Sequence, residues 1–121
     1  MKKVLVVDDS ETIRREVARC LGPADFSILE ARDGVEGLSM ASQNLDLALL
    51  VLDVNMPIMN GLDMLDRLKQ DQKTAPIPVL LLTTEAQESL IERAKKAGAK
   101  GWLIKPVKPE ILLAAAKKLA R

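Results

Sequence analysis

The stretch Leu47-Ala48-Leu49-Leu50-Val51-Leu52-Asp53 decides how this 121-residue chain is read. Six apolar residues in a row leave no polar face, and a strand of that kind is at home in a parallel sheet covered by helices on both sides. The run then stops on a carboxylate, Asp53. Four more short β-rich runs read as strands, Lys3–Val7, Ser27–Glu30, Val79–Leu82 and Trp102–Ile104, several of them apolar on both faces, with Ala48–Leu52 as the third of five.

Between these runs the apolar residues recur at helical spacing. Ile13, Val17, Cys20 and Leu21 form one set, Val35, Leu38 and Ala41 a second, and Leu62, Leu65 and Leu68 a third. Leu90, Ala94 and Ala97 form the fourth, and Leu112, Ala115 and Leu119 the fifth. Start signals agree: Asp33 with Glu36 and Thr84 with Gln87 have capping-box spacing, Asn60 can cap the third helix, and Pro109 suits the first turn of the last. Strand and helix therefore alternate five times over short connections. Parallel neighbours need such crossovers, which are right-handed almost without exception. The expectation is a single domain over 1–121, a doubly wound α/β (βα)5 sandwich with a five-stranded parallel sheet. The alternation leaves the strand order open.

Composition narrows the function. With 18 basic and 17 acidic residues the net charge is +1, so no global field points to nucleic acid or to a membrane. A lone cysteine, Cys20, forms no internal disulfide and suits a reducing, cytoplasmic setting. Its position on an apolar helix face reads as core packing, not reactivity. There is no histidine, which excludes Ser-His-Asp and Cys-His chemistry, His-containing zinc sites and a phosphohistidine on this chain.

Open parallel sheets bind ligands beyond the carboxyl ends of their strands. Asp8 and Asp9 end the first strand, Asp53 the third, Thr83 the fourth and Lys105 the fifth. Each has an ordinary explanation alone: a strand end, a turn, a helix cap, a solvated lysine. Those explanations do not account for five complementary groups on one rim. Carboxylates a few ångströms apart repel by about 3 kcal/mol per close pair at an effective dielectric near 20. A hard divalent cation such as Mg²⁺ relieves this through oxygen ligands. A hydroxyl and a lysine opposite can then hold a phosphoryl group, for which an aspartate carboxylate is a covalent acceptor.

Four motifs resemble the response-regulator receiver family along essentially the whole chain. They are Val4-Leu5-Val6-Val7-Asp8-Asp9-Ser10, Asp53-Val54-Asn55-Met56-Pro57-Ile58-Met59-Asn60-Gly61, Leu82-Thr83-Thr84, and Gly98-Ala99-Lys100-Gly101-Trp102-Leu103-Ile104-Lys105-Pro106. The resemblance implies a flavodoxin-like sheet in the order 2-1-3-4-5. It implies that Asp53 is the phosphoacceptor and that Asp9 and Asp53 ligate Mg²⁺ directly. Asn55 would add its backbone carbonyl, and Asp8 would act largely through water. Thr83 would hydrogen-bond the phosphoryl group, and Lys105, cis-bonded to Pro106, would pair with it.

The implied partners are a sensor histidine kinase or phosphotransfer protein upstream and a protein target on the α4-β5-α5 face downstream, with neither nucleic acid nor membrane bound directly. The implied protein is a monomeric signalling switch and not an enzyme, though it takes part in its own phosphotransfer and autodephosphorylation. Asn55 and Glu85 occupy positions that tune loss of the phosphoryl group. The aromatic at the family's switch position is commonly tyrosine or phenylalanine; here it is the larger Trp102.

Three functions compete. A pure interaction module has no need for mutually repelling carboxylates. A Mg²⁺-dependent phosphatase with an aspartyl nucleophile commonly has a second aspartate two residues on, and here that position is Asn55. Within the receiver family, the Gly101-Trp102 and Lys108-Pro109-Glu110 segments look like single-domain chemotaxis-type regulators; the alternative is a receiver cut from a longer regulator with a DNA-binding or enzymatic output domain.

Overall fold

The computed structural model describes residues 1–85 and 87–121. Five strands, β1 (Lys2–Val7), β2 (Phe26–Ala31), β3 (Leu49–Asp53), β4 (Val79–Thr83) and β5 (Gly101–Ile104), alternate with five helices. The helices are α1 (Glu11–Leu21), α2 (Gly34–Gln43), α3 (Gly61–Gln70), α4 (Glu88–Lys96) and α5 (Pro109–Leu119). All strand pairs are parallel, in the order β2-β1-β3-β4-β5. The expected doubly wound sandwich is the fold observed.

Alternation along each strand divides the core into two layers. Leu5, Val7, Leu50, Leu52, Val79 and Leu81 face α2, α3 and α4, together with Met64, Leu65, Leu68 and Ala94. Val4, Val6, Leu49, Val51, Leu80 and Leu82 face α1 and α5, against Val17, Leu21, Leu112 and Ala116. Burying such a side chain contributes roughly 1.5–3 kcal/mol, which is why β3 and β4 are apolar up to their last residues and β1 is apolar from Val4 on, its two lysines lying at the open end.

Capping follows the sequence in three helices. Asp33 Oδ1 accepts from the Glu36 N–H at 2.8 Å, Asn60 Oδ1 from the Asp63 N–H at 3.0 Å, and Pro109 opens α5. Ser10, not anticipated as a cap, accepts from the Ile13 N–H. Two expectations fail. Thr84 does not cap α4: the cap position is Gln87, without a side-chain bond, and Thr84 is engaged by Asn55 instead. Val35 is exposed, because the buried face of α2 runs through Gly34, Gly37 and Ala41. A Cβ on Gly37 would lie 2.8 Å from Met64 Cε and 3.0 Å from Val7 Cγ2, so the bare glycine lets α2 close onto the sheet, with Leu38 and Met40 at the flank of the core and Val35 outside it.

Candidate phosphoryl-transfer site

The parallel sheet delivers its strand ends to one rim. Asp8 follows β1 directly, Asp53 and Thr83 are the last residues of β3 and β4, and Lys105 follows β5. Asp8, Asp53 and Thr83 are buried to 1–2% exposure, while Asp9 faces solvent. One oxygen from each of Asp8, Asp9 and Asp53 falls within 4.8 Å of the other two. Lys105 Nζ bridges the two buried carboxylates, at 3.0 Å from Asp53 Oδ1 and 3.2 Å from Asp8 Oδ2. Four of the five rim residues singled out from sequence therefore meet, and Thr83 ends β4, the strand between β3 and β5, on the same rim.

Backbone donors complete the frame. The Ser10 N–H donates to Asp8 Oδ1 at 2.9 Å and the Asn55 N–H to Asp53 Oδ1 at 3.2 Å. Thr83 Oγ1 accepts from the Glu85 N–H at 3.1 Å, and among the described residues its own proton is donated to no other group. Asn55 Nδ2 donates to Thr84 Oγ1 at 2.9 Å and ties the loop after β3 to the loop after β4. The Lys105–Pro106 bond is cis, as the resemblance implied. Gly61 closes the β3–α3 loop by donating its N–H to the Val54 carbonyl at 2.9 Å. A Cβ there would run into the Asp53 carbonyl oxygen and stand 2.8 Å from Val54 Cα, so only glycine permits the approach.

Electrostatics follow from burial. Loss of water raises the pKa of Asp8, the Ser10 amide opposes this, Asp53 raises it further, and Lys105 draws it back. Burial by itself would lower the Lys105 pKa, but the bond to Asp53 and the charges of Asp8 and Asp53 outweigh it, and the net shift is upward. The ammonium is held charged and aimed at the carboxylates. Their donor set is all oxygen, without sulfur or imidazole, and fits a hard divalent cation such as Mg²⁺.

Three features were not found from sequence. Arg14 donates from Nη1 to the Asp8 backbone carbonyl at 2.7 Å, a contact that no spacing rule signals. Ile58 has φ +70° and is 87% exposed, although it is β-branched. A cavity of about 760 Å³ lies beside the acidic rim, between α1 and α5, with Cys20 in its wall and Lys105 at its edge. The Cys20 thiol donates to the Pro109 carbonyl at 3.2 Å and burial pushes its pKa up, which fits the inert reading.

Comparison with known proteins bears on this arrangement directly. Residues 4–117 match the family model described as response regulator receiver domain. Chemotaxis protein CheY1 of Helicobacter pylori is 39% identical over 111 residues, covering 91% of this chain and 90% of that protein. Chemotaxis protein CheY of Pseudomonas aeruginosa is 39% identical over 112 residues, covering 91% and 89%. Among solved structures, Vibrio cholerae chemotaxis protein CheY4 superposes with a TM-score of 0.92 at 37% identity, covering 98% of both chains.

Proposed function

The chain belongs to the response regulator receiver domain family, and on that premise we propose that it accepts a phosphoryl group on Asp53 from a phosphohistidine protein and switches partner binding in chemotaxis-type signalling. The observation that carries the reading is the Lys105 ammonium held between the buried carboxylates of Asp53 and Asp8, one strand away from the Thr83 hydroxyl.

Asp53 Oδ1 accepts from both Lys105 and Asn55, and among the described residues Oδ2 accepts no hydrogen bond. Oδ2 is therefore the oxygen left to attack. The new O–P bond forms as the donor's P–N bond breaks, and the electron pair leaves with the imidazole. Charge developing on the phosphoryl oxygens meets the Lys105 ammonium and the Thr83 proton, both fixed beforehand by the fold. Receiver domains take Mg²⁺ through an acidic pocket; here Asp9, Asp53, the Asn55 carbonyl and, through water, Asp8 would hold it, and it would supply positive charge to the transferring group.

Transfer changes what Thr83 bonds to. Thr83 pairs with Ile104, and Leu81 with Trp102 two rungs earlier, so a shift of Thr83 would reach the aromatic residue of β5. The output partner would dock on the α4-β5-α5 face, with the protein a cytoplasmic monomer. Asn55 and Glu85 border the acceptor and would set the rate of hydrolysis. The switch has no substrate turnover of its own beyond that reaction.

The test is transfer of labelled phosphate from a phosphohistidine protein. The label should move to the wild type with Mg²⁺, stay on the donor with a chelator, and stay on the donor with Asp53→Asn. Equal transfer to wild type and Asp53→Asn contradicts the reading.

A further inference from the structure

Arg14 lies in the second turn of α1, outside the acidic rim, yet its side chain reaches back over the end of β1. Nη1 donates to the Asp8 carbonyl at 2.7 Å, and Nε donates to Glu30 Oε1 at 3.1 Å. The arginine side chain is only 15% exposed. Glu30 stands on β2 opposite Val6, and the Asp8 N–H donates across to the Ala31 carbonyl at 3.1 Å. That bond ends the β1–β2 ladder. The Asp8 carbonyl beyond it has no strand to pair with, and Arg14 supplies the missing donor.

The peptide held in this way joins Asp8 to Asp9. Its orientation sets the direction in which Asp9, the exposed member of the acidic group, leaves the backbone. Asp9 makes no hydrogen bond or ion pair of its own among the described residues, so nothing else on the side chain fixes its approach to Asp8 and Asp53. Glu30 fixes the guanidinium in turn, giving a chain of contacts from β2 through α1 to the end of β1. A planar guanidinium can serve a carbonyl and a carboxylate at once, which a lysine ammonium of similar reach does less well.

We propose that Arg14 is a positioning residue for divalent-cation binding, acting through the Asp8–Asp9 peptide and oriented by Glu30. This rests on the assignment of the Asp8–Asp9–Asp53 group as the Mg²⁺ site. Residues that orient metal ligands from behind commonly cost 10–100-fold in metal affinity when removed.

Calorimetric titration with Mg²⁺ tests this on wild type, Arg14→Met, Arg14→Lys and Glu30→Gln, each also melted in chelator to measure folding without metal. Arg14→Met should weaken Mg²⁺ binding about tenfold, at the lower end of that range, with Arg14→Lys recovering part of it. Glu30→Gln keeps an acceptor for Nε and should shift affinity less than Arg14→Met. If Arg14→Met folds as the wild type does and binds Mg²⁺ equally well, or if it melts lower with unchanged affinity, Arg14 is a structural brace only and the proposal fails. A wild type that gives no Mg²⁺ signal would instead overturn the assignment of the metal site.

Discussion

Lys95 Nζ stands 5.3 Å from the centroid of the Trp102 ring, so a cation from α4 covers the aromatic residue of β5. The ring is half-buried and packs on the same core layer as Leu81, its partner in β4.

Trp102 is the only tryptophan in a chain without tyrosine, so its emission reports this one place. A phosphoryl mimic with Mg²⁺ should change the emission of the wild type, the change should vanish in Asp53→Asn, and it should be reduced in Thr83→Ala. Lys95→Met should alter the resting spectrum while changing stability by no more than about 1 kcal/mol, the range of an exposed cation–π contact. An unmoved spectrum in protein shown by mass to be phosphorylated would make Trp102 an apolar plug.

Asp9 is the one member of the carboxylate group that Lys105 does not reach. Its repulsion with Asp8 and Asp53 is screened by solvent, which limits the cost to about 1 kcal/mol or less. In chelator, Asp9→Ala should therefore melt up to about 5 °C above the wild type. Mg²⁺ should raise the wild-type melting temperature, as ligand binding to the native state does, and leave the variant unmoved. A metal-insensitive wild type would count against both claims.

The raised pKa of Asp8, due first to burial, gives a signed pH dependence. A carboxyl whose folded pKa exceeds its unfolded value holds its proton more tightly in the native state. Ionisation then costs stability as pH rises through the window between the two values. Asp8→Asn is fixed in the neutral form. In chelator at neutral pH it should be more stable than the wild type, and the gap should close as pH falls through that window. Lys105 acts at the other end: its raised pKa contributes stability that is present below its unfolded value and lost as pH rises through the folded one. Denaturation across pH measures both, and a less stable Asp8→Asn at neutral pH would contradict the first.

Ile58 combines a left-handed backbone with an exposed β-branched side chain. That conformation costs roughly 1–2 kcal/mol in an L-residue and is tolerated best by glycine, asparagine and aspartate. Ile58→Asn should raise the melting temperature by about 3–6 °C, the equivalent of about 1 kcal/mol. A lower melting temperature would mean that the side chain makes a contact worth more than the strain.

The rim residues were legible because a doubly wound sheet sends every strand end to one side, so Asp8, Asp9, Asp53, Thr83 and Lys105 could be grouped from the strand pattern alone. Strand order was not, since the same βα alternation admits other orders, and only the family resemblance implied 2-1-3-4-5. Thr84 misled because its spacing to Gln87 imitates a capping box, while the hydroxyl is taken by Asn55 across two loops. Val35 misled because the glycines of α2 set its depth on the sheet, an effect of close packing that periodicity does not register. Arg14 was invisible because its partner is a backbone carbonyl, and carbonyls carry no sequence signal.

Whether Asp53 is the acceptor is decided by intact-mass analysis after incubation with a small phosphodonor and Mg²⁺. The wild type should gain a single phosphoryl group, with none added in chelator and none on Asp53→Asn. Full labelling of Asp53→Asn would contradict that assignment.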